Sequence, residues 1–431
     1  MPPRFADLKR EIADSYPDFE AQVTRAWIEI LEQLKDSTAE IAKEGPAVIP
    51  EVSFADLDKL SSEQVDKMKR RGCVIIKDVV DDSEATAWKA ALQEFDKANP
   101  TAPGFPEEDK QFFYLYWTKP QVEARAHPNV LKTSAWLNKL YHISGTGDGS
   151  ALAGVDLGTP LTYADRYRIR KPGVQWEAHP PHVDGGSIER WEDETFRTCF
   201  ADILRGDWRK HDPYELEGRI NARNSIYGRP NQASIFRTFQ GWLAMSETAP
   251  SQGTIRFFPD VLLSNAYTIL RPFFRAKATP VSEDLLAPEN WEYDVSVPEF
   301  PGIYTMPDKK SYTGPRPTPE SHPHLRLEET MTSVPLVKPG DMVFWHCDLI
   351  HSVEREHNGT GDSSVMYIGA VPSTPQNLAY LSRQRETFEK GVTPPDYPPA
   401  PPEAIYKGVG RPEDIIGEMG RRAMGFPIAV A

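Results

Sequence analysis

A chain of 431 residues, 39% apolar and 10% aromatic, is long enough for one large elaborated domain or for two, and apolar enough to bury a core. Its 63 acidic residues against 49 basic ones give a net charge of −14, which argues against a general nucleic-acid binder. Cys73, Cys199 and Cys347 lie far apart and form neither a CxxC pair nor a disulfide framework. The N-terminus is charged and lacks an apolar signal core, and no run of about 18 apolar residues occurs. A soluble, cytoplasmic protein without membrane or nucleic-acid partners is therefore expected, as monomer or homodimer.

Residues 4 to 44 carry Leu8, Ile12, Phe19, Val23, Trp27, Ile30 and Leu31 near a helical period. Pro17 divides the stretch and Gly45-Pro46 ends it. SSEQVDKMKRRG predicts a second helix, with Ser61 or Ser62 as cap and Gly72 as stop. CVIIKDVV reads as a short buried strand, and DDSEATAWKAALQEFDKANP as a helix capped by Asp81, Asp82 or Ser83. Residues 128 to 146 read as helix. From Leu161 the period becomes two: LTYADRYRIRKPG puts Arg166, Arg168 and Arg170 on one face of a strand. Short strands follow in ASIFRTFQGWLAMSE, GTIRFFP, MTSVPLV, GDMVFWH, LIHSVE and SSVMYIGAVP, separated by turn residues, as in an antiparallel barrel or sandwich. The expected organisation is a helical arm over residues 1–60 and an α+β domain over 61–431. Insertions at 187–232 and 279–327 interrupt that domain, and the tail is helical and Pro-rich.

HPPHVDGGSIERW, residues 179–191, carries the chemistry. His182 and Asp184 are two apart, so an extended backbone turns both to one side. An imidazole beside a carboxylate suits a divalent transition ion, non-haem Fe(II) above all. Gly185 and Gly186 let the backbone come close to a ligand. A facial triad needs one more histidine from elsewhere, and His351 in GDMVFWHCDLIHSVE is the best placed; His179, His346 and His357 compete. The bland alternative is a polar turn.

The order of motifs resembles the Fe(II)/2-oxoglutarate-dependent oxygenases, on their phytanoyl-CoA hydroxylase-like side. DRYRIRKPG, HVDGGSIERW, FRTFQGW, LRPFF, WHCDLIHSVE and YIGAVP are most similar to the YbiU-like group, over roughly residues 65 to 420. The resemblance implies a double-stranded β-helix (jelly-roll, cupin-like) core with N- and C-terminal helices. It also implies His182, Asp184 and His351 as iron ligands and catalytic centre, with 2-oxoglutarate and O2 as cosubstrates.

The chain departs from the superfamily at one point. Such oxygenases place an arginine on the strand after the distal histidine, to pair with the far carboxylate of 2-oxoglutarate. Here that strand reads SSVMYIGA and carries no base. An arginine fork suits a carboxylate, so Arg168, Arg170, Arg237 and Arg256 become candidates, with Arg256 and Arg168 preferred and a hydroxyl from Ser363 or Ser364 assisting. Trp191, Trp242 and Trp345 are read as core or pocket wall, and Glu189 and Arg190 as substrate contacts or a solvated loop.

The expected activity is oxidation of a C–H bond in a small polar metabolite, an amino acid among the candidates, by hydroxylation, desaturation or cyclisation. The rivals are a metalloenzyme of the same fold that dispenses with 2-oxoglutarate, and a non-catalytic binding protein.

Overall fold

The computed structural model describes residues 1–143, 152–229 and 231–427. Helices Arg4–Asp14 and Phe19–Glu44 open the chain, broken where Pro17 requires it. In the helix Ser62–Arg71, Ser61 accepts from the Gln64 amide and the Gln64 side chain returns to the Ser61 amide, a reciprocal cap. Gly72 ends that helix at φ 68°, and a Cβ there would strike Val261 at 2.8 Å, so the stop needs glycine twice over. The expected helix over 128–146 spans Pro128–Asn138; its positions 144–146 lie outside the described residues.

The protein is a mixed α/β fold around a large, mostly antiparallel sheet. The main sheet runs, in spatial order, Glu51–Ser53, Cys73–Lys77, Met342–His346, Phe239–Ala244, Ser363–Tyr367, Tyr167–Arg170, Phe112–Phe113 and Gly104–Phe105. Only its first pair is parallel. Cys73–Lys77 is buried on both faces, as its unbroken β-branched run requires. A second sheet holds Thr332–Ser333, Ile255–Phe257 and His351–Val353. The two sheets meet through side chains: the Trp345 ring lies 5.7 Å from Phe257 and 5.2 Å from His351.

The strand expected over LTYADRYRIRKPG is shorter than its alternation predicts. It is regular only over Tyr167–Arg170, because residues 162–166 bend away to pack on the C-terminal helix Pro375–Lys390, where the Ala164 amide meets Gln384. Among its described residues the segment 187–232 holds four short α-helices, Glu189–Glu192, Glu194–Thr198, Ala201–Leu204 and Glu217–Ile220, and one 3-10 turn, Trp208–Lys210. The N-terminal helices share the main apolar core. Trp27, 1% exposed, stacks on Tyr267 at 5.1 Å and Phe274 at 4.5 Å. No described helix is long and apolar enough to cross a membrane.

Candidate metal centre

His182 and His351 are cross-strand partners. The His182 amide donates to the His351 carbonyl at 2.9 Å, and the His351 amide donates back at 3.0 Å. Their rings are consequently 4.2 Å apart. Each ring turns its Nδ1 to a main-chain carbonyl, Pro180 O at 2.6 Å for His182 and Leu349 O at 2.9 Å for His351. A carbonyl only accepts, so both Nδ1 atoms carry a proton and, in the neutral rings, both Nε2 atoms keep a lone pair. Asp184 faces those lone pairs, with Oδ1 3.8 Å from His182 Nε2 and Oδ2 3.5 Å from His351 Nε2. Possible ligand atoms of the three residues all lie within 4.8 Å of one another.

Burial pushes the His182 pKa down to about 4, with His351 adding to the effect, so its imidazole is neutral. Burial works against the charge on Asp184, but the neighbouring His351 and His182, and Arg237 in the cavity wall, hold its carboxyl well below the usual range. Two imidazoles that present Nε2 and one carboxylate, each oriented by a main-chain contact or by the others, are a donor set that fits a divalent transition ion.

The triad stands in the wall of a cavity of about 270 Å³. Arg168 also faces it, although it is only 2% exposed. Its Nη2 donates to Gly253 O at 3.1 Å and to Ser363 Oγ at 3.4 Å, and its Nε has no partner. Among the described residues no carboxylate pairs with it. Arg168 stands opposite Val365, so it occupies the strand beside the one that lacks an arginine.

Arg256, also preferred from sequence, lies elsewhere. Ile255 lines the cavity and Phe257 packs on Trp345, so the alternation of the strand turns Arg256 outward. There its guanidinium donates twice to Met331 O, at 2.8 and 2.5 Å. Ser364 is likewise on the wrong face and bonds Asp362, whereas Ser363 reaches Arg168. Arg170 is spent on the carbonyls of Glu354, Val174 and Arg355. Arg237 lines the cavity, over Tyr163 and 3.9 Å from Asp165.

The competing histidines have other occupations. His179 lines the cavity with its Nδ1 receiving Trp176 Nε1–H at 2.7 Å. His357 receives the Gly359 amide. His346, Cys347 and Asp348 form a second cluster of possible ligands, but both ring nitrogens of His346 are engaged, with Pro213 O and with the Asp348 amide. Asp348 is already neutralised by two guanidiniums, Arg190 at 2.6 Å and Arg219 at 2.7 Å. That leaves the second cluster nothing to offer an ion.

Arg190, read from sequence as a substrate contact or loop residue, is neither. It is 4% exposed, and its Nη2 donates to the carbonyls of Asp184 and Gly185 while its Nη1 holds Asp348. It therefore ties the segment bearing His182 and Asp184 to the segment bearing His351. Trp242 and Trp345 line the cavity, whereas Trp191 packs on Phe300 and donates to Ile269 O. Three cavity arginines, Arg166, Arg229 and Arg316, were not singled out beforehand as ligand contacts. The last two sit in irregular insertions, where no periodicity marks an inward face.

A family model described as Gig2-like matches residues 1–426. The uncharacterized protein YbiU of Escherichia coli K12 is 30% identical over 423 residues, covering 93% of this chain and 92% of that protein. The crystal structure of the GlcNAc Inducible Gene 2 protein of Candida albicans is similar, with a TM-score of 0.85 and 36% identity over 99% of this chain and 89% of that one. A Salmonella typhimurium LT2 protein, named provisionally as an oxidoreductase, gives a TM-score of 0.78 and 27% identity over 98% and 96%. The kinship to YbiU agrees with the motif order read from the sequence, and with nearly the whole length matched, the chain belongs to the Gig2-like family.

Proposed function

We propose that the protein is a non-haem Fe(II)/2-oxoglutarate-dependent dioxygenase that oxidises a C–H bond of a small polar metabolite. The observation that carries this reading is the convergence of two lone-pair-bearing Nε2 atoms and one carboxylate at a cavity wall. In this reading the two facing sheets are the two sides of a double-stranded β-helix. His182, Asp184 and His351 would hold the iron at the cavity wall. Bound there, iron with 2-oxoglutarate and O2 supplies the oxidising power.

The chain's own residues do the rest. Arg168 offers a buried guanidinium without a carboxylate partner among the described residues, which fits the far carboxylate of 2-oxoglutarate, with Ser363 Oγ beside it. Pro180 O and Leu349 O fix both imidazole tautomers. Trp242, Trp345 and Phe112 line the cavity with apolar surface and limit water around the reacting centre.

The test is anaerobic addition of Fe(II) and then 2-oxoglutarate to the apoprotein, with His182→Ala as control. A visible metal-to-ligand charge-transfer band that requires His182 is the expected result. Iron binding without a band would favour a metalloenzyme that does not use 2-oxoglutarate, a reading consistent with the missing arginine on Ser363–Tyr367. No iron binding would overturn both.

A further inference from the structure

The cavity is strongly cationic in an acidic protein. Among the described residues its lining holds Arg166, Arg168, Arg229, Arg237 and Arg316 against Asp165 and Asp184 alone, with no lysine or glutamate, while the whole chain carries a net charge of −14. Asp165 is shared by Arg166 at 2.9 Å and Arg237 at 3.9 Å. Arg229 and Arg316 have no carboxylate partner among the described residues, and Arg229 Nε is buried without any partner. These two come from the two insertions, yet they are fixed beside the HVD motif. The Val183 amide donates to Pro315 O at 2.9 Å, Ser187 Oγ donates to Thr313 O, and a Cβ on Gly314 would lie 2.6 Å from Val183 O and 3.7 Å from Arg229 Nη2. Arg229, half-buried, feels the charge of Asp184 and that of Arg316, which stands exposed beside it, so an anion entering between the two guanidiniums would relieve a repulsion. Arg168 is a separate position, on the main sheet and bonded to Gly253 and Ser363.

We infer that Arg229 and Arg316, backed by Arg237, form a second anion-binding position, and that the substrate is a small molecule bearing a carboxylate or phosphate that docks there. The inference rests on the cavity being the reaction site of the proposed dioxygenase, and goes beyond that reading by naming the substrate's charge and the residues that take it. A charged fork on an anion is a strong, directional contact, and the walls of a low-dielectric cleft focus the field on it.

The test uses metal-free full-length protein, so it does not depend on iron. Inorganic phosphate and acetate are titrated separately at constant ionic strength, with NaCl as reference, and apparent affinity is read from the shift in melting temperature. Arg229→Gln/Arg316→Gln is compared with wild type, with His182→Ala and with Arg355→Gln, a surface arginine paired to Glu177 outside the cavity. We expect a saturable shift in wild type, His182→Ala and Arg355→Gln, weakened about tenfold or more in the double variant. The anion giving the larger shift identifies the headgroup as carboxylate or phosphate. No shift beyond NaCl in wild type, or an equal shift in the double variant, would overturn the inference. Loss of the charge-transfer band in His182→Ala with its anion binding intact separates this result from the fate of the iron reading.

Discussion

Arg190 and Asp348 form a buried ion pair, 2.6 Å long and at most 4% exposed on either side, that joins the two segments supplying the candidate ligands. Asp348 is three residues before His351, and Arg190 grips the Asp184 and Gly185 carbonyls with its other amino group. Arg219 completes the neutralisation of Asp348 from the insertion. The pair sets where the two segments bearing the candidate ligands stand relative to each other, so its loss should affect both stability and the metal affinity of the proposed centre.

Removing the shared carboxylate is expected to do more harm than removing one guanidinium. Asp348→Asn leaves two buried arginines without a counter-charge and should cost about 3–5 kcal/mol or prevent folding, whereas Arg190→Met leaves Asp348 paired with Arg219 and should cost less. The folded Arg190→Met protein should still bind Mn(II) about 10- to 100-fold more weakly, as for a lost outer contact to a ligand segment. Urea denaturation and Mn(II) titration check the two parts. Unchanged Mn(II) affinity in Arg190→Met would show that the clamp has no part in placing the ligands.

Substituting His351 by alanine should remove metal binding without unfolding the protein. The bridge between His182 and His351 is made by peptide groups that the substitution leaves in place. Wild-type protein should gain melting temperature with rising Mn(II), following the logarithm of metal concentration over Kd, and His351→Ala should not. A retained shift would remove His351 from the ligand set.

Arg168→Lys and Arg256→Gln should separate cleanly. Lysine keeps the charge but loses the fork, so 2-oxoglutarate affinity of the Mn(II)-loaded protein should fall about tenfold in Arg168→Lys. Arg256 spends its fork on Met331 O at the far face of its strand, so Arg256→Gln should bind 2-oxoglutarate as wild type does. Calorimetric titration of both variants distinguishes them, and the reverse order would reassign the carboxylate anchor.

Acid should destabilise the fold from about pH 6.5 downward, through histidines remote from the triad. Burial pushes His322 down to about 3 and His324 to about 4, Arg271 contributing to both, from an ordinary 6.5. Above pH 6.5 both states are neutral and this stability is fully present. Below it the unfolded chain takes up protons that the fold excludes, so stability falls with pH, by at most about 1.4 kcal/mol per unit per histidine, until the folded values are passed. Urea midpoints between pH 7 and 5 should show a shallower slope in His324→Gln than in wild type. An identical slope would assign the acid loss to other groups.

Local signals carried the helices well. The Ser61 cap, the Gly72 stop and the Pro17 break each act within a few residues, so their physics is visible in the chain itself. Spacing also paired His182 with Asp184, since two residues on extended backbone share a side. The same period-two rule shows which residues share a face but not which face is inner, and Arg256 and Ser364 fell on the outer one. Ile255 and Phe257, apolar on either side of Arg256, mark that orientation in retrospect. Arg229 and Arg316 could not be found this way. Their position depends on two irregular insertions meeting over the HVD motif, a tertiary fact with no periodic trace.

The reciprocal main-chain bridge between His182 and His351 bears on what happens when an ion leaves. In small zinc modules the metal is the reason the chain folds, and chelation dissolves the structure. Here two peptide groups, embedded in a fold with its own core, already hold both imidazoles 4.2 Å apart. The framework around the triad is thus rigid before loading, and an ion entering it has little chain to order. An ion held by the proposed centre would then be lost and regained as a local event, with amide exchange at His182 and His351 expected to be protected alike in the empty and the loaded protein.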